Sequence, residues 1–208
     1  MRSSQLLPLS GAASVVLIVV SFLIAGEPPD VDDAPGELLD YYTDDSLQWG
    51  AALLALGSLF FLVFSATLAS VLRAAVRDIG STAAKVSFAG GIVFTVGLTI
   101  FSGLAFTAGE VADDVEIGTL QTLNALEMNM FFTVAVGTAA FLLGSGIGVL
   151  KTGVLPRWMG WVAIVLGVLA ITPVGFAAFI GLGIWTLVAS VMLAMRAEAE
   201  PRAAGDAA

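Results

Sequence analysis

The sequence predicts an all-α polytopic membrane protein, a bundle of six transmembrane helices with both termini in the cytoplasm. Of its 208 residues, 58% are hydrophobic and 12% are charged, whereas ordinary globular chains carry roughly a quarter charged residues. Long stretches contain no Asp, Glu, Lys or Arg, and acidic and basic residues fall in alternating segments between them. This composition excludes a water-soluble globule, a disordered tail and a disulfide scaffold.

Four uncharged stretches have the length of a single membrane-crossing helix, which needs about 20 apolar residues. A fifth uncharged stretch, 158–195, is 38 residues long and has Thr172-Pro173-Val174-Gly175 in its middle. Proline lacks an N–H donor and glycine frees the backbone, so these residues predict a tight turn between two helices. The predicted spans, within one domain over 1–208, are 6–26, 47–72, 86–109, 128–150, 157–172 and 176–195.

The charged residues predict the orientation of the six spans. Cytoplasmic loops are enriched in Lys and Arg, and all eight basic residues fall on one side of the predicted membrane: Arg2, Arg73, Arg77, Lys85, Lys151, Arg157, Arg196 and Arg202. The two outer segments, 27–46 and 110–127, hold 13 acidic residues and no basic one. The sequence therefore predicts a multi-pass protein of the plasma membrane with a cytoplasmic tail over 196–208. A cleaved signal peptide over 1–26 is the competing interpretation of the first span.

The third span carries a small or hydroxyl residue at every fourth position: Ser87, Gly91, Thr95, Thr99, Gly103 and Thr107. Such a ridge lets a neighbouring helix approach closely, and its hydroxyls bond back to the carbonyl four residues earlier. The fourth span repeats the spacing at Ala140, Gly144 and Gly148, so the two spans are expected to touch there. The alternative interpretation is a weakly polar path through the membrane, in which Thr95 and Thr99 contact a solute.

An amphipathic helix is expected to lead into the fourth span, because Leu120, Leu123 and Leu126 repeat at helical spacing after Asp114. Asn129 follows, where an amide is costly unless it is hydrogen-bonded. Asn129 is therefore predicted either to tie two helices together or, with Thr95 and Thr99, to contact a ligand.

Eight carboxylates crowd the first outer segment between Glu27 and Asp45. Hard cations take oxygen ligands, but Ala34 and Pro35 stand where a calcium loop wants an oxygen ligand and a glycine. A solvated acidic loop is the preferred interpretation, with a short helix over 37–42 whose Leu38, Leu39 and Tyr42 rest at the membrane interface.

Several classes of chemistry lose support from what the chain lacks. It has no cysteine and no histidine, hence no thiol nucleophile, no disulfide and neither of the commonest metal ligands. Its spans carry no charge, which disfavours proton-coupled transport through carboxylates. No phosphate-binding loop, nucleophile elbow or basic aromatic patch for nucleic acid is present. The sequence therefore predicts no catalytic residue, no metal and no cofactor.

The stretch 151–161, Lys-Thr-Gly-Val-Leu-Pro-Arg-Trp-Met-Gly-Trp, and the later Thr172-Pro173-Val174-Gly175-Phe176 resemble the closing hairpin of uncharacterised bacterial multi-pass membrane proteins of actinobacterial type. Residues 120–126 and Phe131-Phe132 are similar to the same group, so the resemblance covers roughly the second half of the chain. It implies an integral protein of the cell membrane and no particular activity.

Three hypotheses for function follow. The first is a non-catalytic scaffold in the lipid bilayer that binds another membrane protein or a second copy of itself. The second is a transporter or channel for a small neutral or lipophilic solute; it is motivated by the hydroxyl ridge and by a faint similarity between segments 25–38 and 108–120. The third is an intramembrane enzyme, in which Asp113 and Asp114 would have to do the chemistry.

Overall fold

The computed structural model describes residues 7–30, 34–75 and 79–205, with side chains of the last range described from 81 to 197. Seven α-helices occupy these ranges, preceded by a 3-10 turn at Leu7–Leu9, and no strand occurs in them. The predicted all-α class is therefore confirmed for the described residues. The helices are α1 Ser10–Ala25, α2 Pro35–Thr43, α3 Asp45–Ala75, α4 Ile79–Val111, α5 Ile117–Thr152, α6 Arg157–Leu169 and α7 Gly175–Gly205.

Five helical segments are long and apolar enough to cross a membrane: Leu7–Ala25, Asp45–Ala75, Ser81–Val111, Ile117–Thr152 and Gly175–Ala197. Each coincides with one predicted span: the first lies within 6–26, and the other four extend beyond the predicted limits. The remaining predicted span, 157–172, falls on α6, an apolar helix of only 13 residues. A turn over 170–174 separates α6 from α7, at the place where proline and glycine predicted one.

The long helices pack mainly with their neighbours in the chain. The most extensive interface joins α4 and α5, followed by α1 with α3, α3 with α4, and α5 with α6; α7 contacts α1, α5 and α6. Helix α2 lies across one end of this bundle, against α3, α4 and α5. We call this the capped end; α1 and α4 finish there, and α3 and α5 begin there.

Glycines allow α4 and α5 to approach backbone to backbone. A methyl group added at Gly90 would collide with the backbone of Phe141, one at Gly137 with that of Phe94, and one at Gly144 with that of Ser87. The expected contact between the third and fourth spans is thus present. The four-residue ridge of α4 also serves α3, because a methyl group at Gly91 would collide with the Ser65 hydroxyl.

A cluster of phenylalanine rings fills the middle of the bundle. The ring of Phe61 lies 4.4 Å from that of Phe94 and 4.9 Å from that of Phe141, centre to centre, and these rings and Phe64 are buried. Trp185 is also buried and donates its indole N–H to the Met159 carbonyl at 3.0 Å. The middle of the bundle is therefore closed by large apolar side chains.

The expected short helix over 37–42 is present as α2, but two of its side chains do not face the membrane. Leu38 and Tyr42 are buried in a cluster with Ala105 and Leu120. The expectation that they rest at the membrane interface was wrong, because the amphipathic segment predicted before the fourth span is the first part of α5 and gives α2 a protein surface to pack on. Leu39 alone of the three stays exposed.

Candidate functional site

The capped end holds the one polar cluster that joins three separate parts of the described chain. Proline at the first position of α2 suits a helix start. At the other end of α2, only Asp44 separates α2 from α3. Its carboxylate accepts a hydrogen bond from the backbone N–H of Ser46 at 2.8 Å. The Ser46 hydrogen bonds hold the pKa of the exposed Asp44 carboxyl below its usual range. Tyr42 lies in the last turn of α2, two residues before Asp44.

Tyr42 points from α2 into the start of α5. Its hydroxyl lies 2.9 Å from Oε2 of Glu127 and 3.1 Å from Oδ1 of Asn124. The Asn124 amide in turn donates to the Pro29 carbonyl at 3.1 Å. All three side chains are at most 1% exposed, so the cluster ties α2, α5 and the segment after α1 together out of contact with water.

The tyrosines at this site are held in their neutral form. Burial, and after it the charge of Glu127, raises the pKa of the Tyr42 hydroxyl well above its usual value. The same two causes raise the pKa of Tyr41, whose ring packs edge-on against that of Tyr42 with the centres 5.1 Å apart. Tyr42 therefore remains a hydrogen-bond donor to the buried carboxyl throughout the physiological range.

A surface recess of about 330 Å³ adjoins the cluster, lined by Glu27, Pro28, Pro29, Asp30, Glu37 and Tyr41. Pro29 belongs to both, since its carbonyl accepts the Asn124 amide. A second recess of about 250 Å³ lies beside Trp49, at the start of α3. In the described ranges, no three side chains among Asp, Glu, His and Cys lie close enough together to hold a metal ion.

The predicted ligand residues lie elsewhere. Thr95 donates to the Gly91 carbonyl at 2.9 Å and contacts the Ser58 carbonyl at 3.2 Å, while Thr99 contacts the Ser58 hydroxyl at 3.2 Å. Asn129 is exposed and donates within its own helix, to the Ala125 carbonyl at 2.7 Å. The structure thus groups the two threonines around Ser58, and a role of these three residues in ligand contact stays a prediction.

The carboxylates named in the enzyme hypothesis, Asp113 and Asp114, are exposed in the turn between α4 and α5. They line neither of the two recesses. The buried carboxyl of Glu127 accepts a hydrogen bond from the Tyr42 hydroxyl, which also lies beside the side-chain oxygen of Asn124.

The sequence analysis counted Glu127 among the 13 outer acidic residues and connected neither Glu127 nor Asn124 to Tyr42. A signal for the pair exists, because residues three apart lie on one helical face, and Asn124 and Glu127 share that face with the buried Leu120. Tyr42 could not be predicted as their partner, because it lies 82 residues from Asn124 in the chain.

Comparisons of this chain with protein-family models, with curated proteins and with solved structures found no match. The functional conclusion therefore depends on the residues and geometry described above.

Proposed function

We propose that the chain is a non-catalytic membrane scaffold that acts by binding another membrane protein or a second copy of itself. The observation that carries the proposal is the filled interior: Phe61, Phe64, Phe94 and Phe141 meet in the middle of the bundle. Part of the hydroxyl ridge that motivated a solute path is used in helix contacts, with Thr95 and Thr99 bonded around Ser58. At the other end of the ridge, Thr107 is exposed and a methyl group at Gly103 would meet nothing within 4 Å. A filled interior favours action through the molecular surface.

The proposal includes a topology of six spans in the plasma membrane, with both termini in the cytoplasm and the capped end outside. The one-sided distribution of Lys and Arg supports it. The contacts of α1 support retention of the first span, because Gly57 of α3 lies against Ile18 and Gly11 of α1 lies against Phe64. Removing residues 1–26 would expose that face of α3.

The orientation is tested with single cysteines, since the natural chain has none. Asp113→Cys lies at the capped end and Thr82→Cys near the start of α4, both at exposed positions. We expect a membrane-impermeant maleimide to label Asp113→Cys in intact cells and Thr82→Cys only after lysis. The reverse pattern would contradict the topology.

The scaffold role is tested by extracting the protein with its surrounding native membrane and measuring its mass by native mass spectrometry. We expect a second protein in fixed stoichiometry or a defined homo-oligomer. A monomer that retains a small neutral molecule would contradict the scaffold role and support the transport alternative instead. Two matched variants then distinguish the transport role from the scaffold role. Thr99→Val should lose the retained molecule if the hydroxyl ridge binds it, and Thr107→Val is the control, because Thr107 is exposed and its described hydrogen bond goes to Gly103 of its own helix.

A further inference from the structure

Helix α6 is too short to cross a bilayer of ordinary thickness. Its 13 residues span about 20 Å at 1.5 Å per residue, whereas the hydrocarbon core of a bilayer is about 30 Å thick. Its first residues are those of a membrane surface: Trp158 and Trp161 are 56% and 62% exposed and follow Arg157. Tryptophans beside a basic residue anchor a helix end at the level of the lipid headgroups. The part of the membrane that α6 does not span therefore lies beyond its other end.

The contacts of α6 with α5 show at which depth of the membrane α6 ends. Gly167 lies against Leu143 and Ala139, and Ala170 packs with Ala139 and Ala178. Ala139 is the middle residue of the uncharged stretch 128–150. It lies twelve residues after Glu127, which is about 18 Å along the helix. Helix α6 therefore ends beside the middle of a full span rather than at the membrane surface.

The backbone of the turn over 170–174 is only partly hydrogen-bonded. Thr172 donates to Leu169 and Gly175 donates to Thr172, but within the described ranges the amides of Ile171 and Val174 make no backbone hydrogen bond. The side chains of Ile171 and Val174 are 61% and 58% exposed, so the rest of the described chain does not cover them. After the turn, the ring of Phe176 lies 6.5 Å from that of Phe131, centre to centre.

Irregular backbone at membrane depth occurs where protein buries it or where water reaches it. A span shorter than the bilayer is accommodated when the bilayer thins around it. We propose that the membrane leaflet at the capped end is thinned over the hairpin of α6 and α7, so that water and lipid headgroups reach the turn at 170–174. The interacting surface is this turn with the exposed face of α6, and its partner is a locally thin lipid bilayer.

The inference uses the membrane spans of the proposed topology and is independent of the scaffold role. It is tested in proteoliposomes with two matched variants, Val174→Cys in the turn and Val136→Cys on α5. Both valines are exposed in the monomer, and Val136 lies three residues from Ala139. Asp113→Cys supplies the labelling rate of a fully hydrated position at the same end.

We expect an impermeant maleimide to label Val174→Cys at least about tenfold faster than Val136→Cys, because only the turn is in contact with water. Lipids of longer acyl chains are expected to slow the labelling of Val174→Cys and to leave Asp113→Cys unchanged. Labelling of Val174→Cys as slow as that of Val136→Cys would overturn the inference. If the protected cysteine also forms a disulfide between two chains on oxidation, the turn is covered by a second copy instead.

Discussion

The capped end and the interface between α4 and α5 are held together by different forces. At the capped end, Tyr42, Asn124 and Glu127 form a hydrogen-bonded cluster whose members come from two helices and contact a third segment. Between α4 and α5, glycines bring backbones into contact among mostly apolar side chains, and one buried hydrogen bond joins the hydroxyls of Ser87 and Ser145 at 2.8 Å. Helices in a membrane associate by such close packing, because lipid tails are as apolar as the helices themselves. The difference indicates that the two regions can be weakened separately.

The largest effect is expected from Gly137→Ala. The added methyl group collides with the backbone of Phe94, which cannot turn away as a flexible side chain could, so α4 and α5 must separate. We expect a loss of about 2–3 kcal/mol in the free energy of unfolding, measured by denaturation with SDS in mixed micelles. The matched control is Gly103→Ala on α4, where a methyl group meets nothing within 4 Å. Equal stability of the two variants would mean that close packing of α4 and α5 contributes nothing measurable.

A smaller and local effect is expected from Tyr42→Phe. Removing the hydroxyl leaves the buried carboxyl of Glu127 without its donor, which costs about 1–3 kcal/mol. Hydrogen exchange measured by mass spectrometry should speed up over 35–43 and remain unchanged over 131–149. Tyr41→Phe is the control, because it keeps the Tyr42 hydrogen bonds. Faster exchange over both 35–43 and 131–149 in Tyr42→Phe would refute the claim that the capped end can be weakened without the interface between α4 and α5.

Two asparagines five residues apart on α5 give a further test. Asn124→Ala removes the bond to Pro29 and the contact to Tyr42, and we expect a loss of about 1–2 kcal/mol in the free energy of unfolding. Asn129→Ala removes only a bond to Ala125 of its own helix and is expected to change stability by less than about 0.5 kcal/mol. If Asn129→Ala proves the more damaging in the same SDS titration, Asn129 has a contact that the monomer does not show.

Alkaline pH gives the smallest of the expected effects, through the tyrosines of the capped end. The pKa of Tyr42 is raised above its usual value of 10.0, by burial first and then by Glu127. Above that pH the unfolded chain releases a proton that the folded chain keeps, so stability falls as pH rises beyond about 10. We expect exchange over 35–43 to gain an additional pH dependence there that Tyr42→Phe reduces. If Tyr42→Phe shows the same pH profile as the unchanged protein, the additional pH dependence does not come from the Tyr42 hydroxyl.

Most of the architecture could be predicted because it depends on local properties of the chain. Length of uncharged stretches gave the long helices, and Pro173 with Gly175 marked the turn before α7. The burial of Leu38 and Tyr42 could not be predicted, because most of the surface that covers them comes from the end of α4 and the start of α5, more than 60 residues away in the chain. A membrane surface and a protein surface attract the same apolar residues, and only the tertiary structure distinguishes them.

The site was the less predictable part for a related reason. Asn129 looked costly at its depth, but a side-chain bond to Ala125 satisfies it locally. Glu127 was counted as one of 13 outer carboxylates, yet it is buried and bonded to a tyrosine of another helix. A count of charges treats every carboxylate alike. Glu127 differs from the others in its burial and in its hydrogen bond to the distant Tyr42 hydroxyl.

Solute permeability of proteoliposomes tests most directly whether the molecule acts by contact rather than by conduction. Vesicles containing the protein are mixed rapidly with glycerol or urea, and their swelling is followed by light scattering. Because phenylalanine rings close the middle of the bundle, we expect the protein-containing vesicles to swell at the rate of protein-free vesicles of the same lipid. Faster swelling that saturates with solute concentration and is lost in Thr99→Val would contradict the scaffold function and establish a path along the hydroxyl ridge.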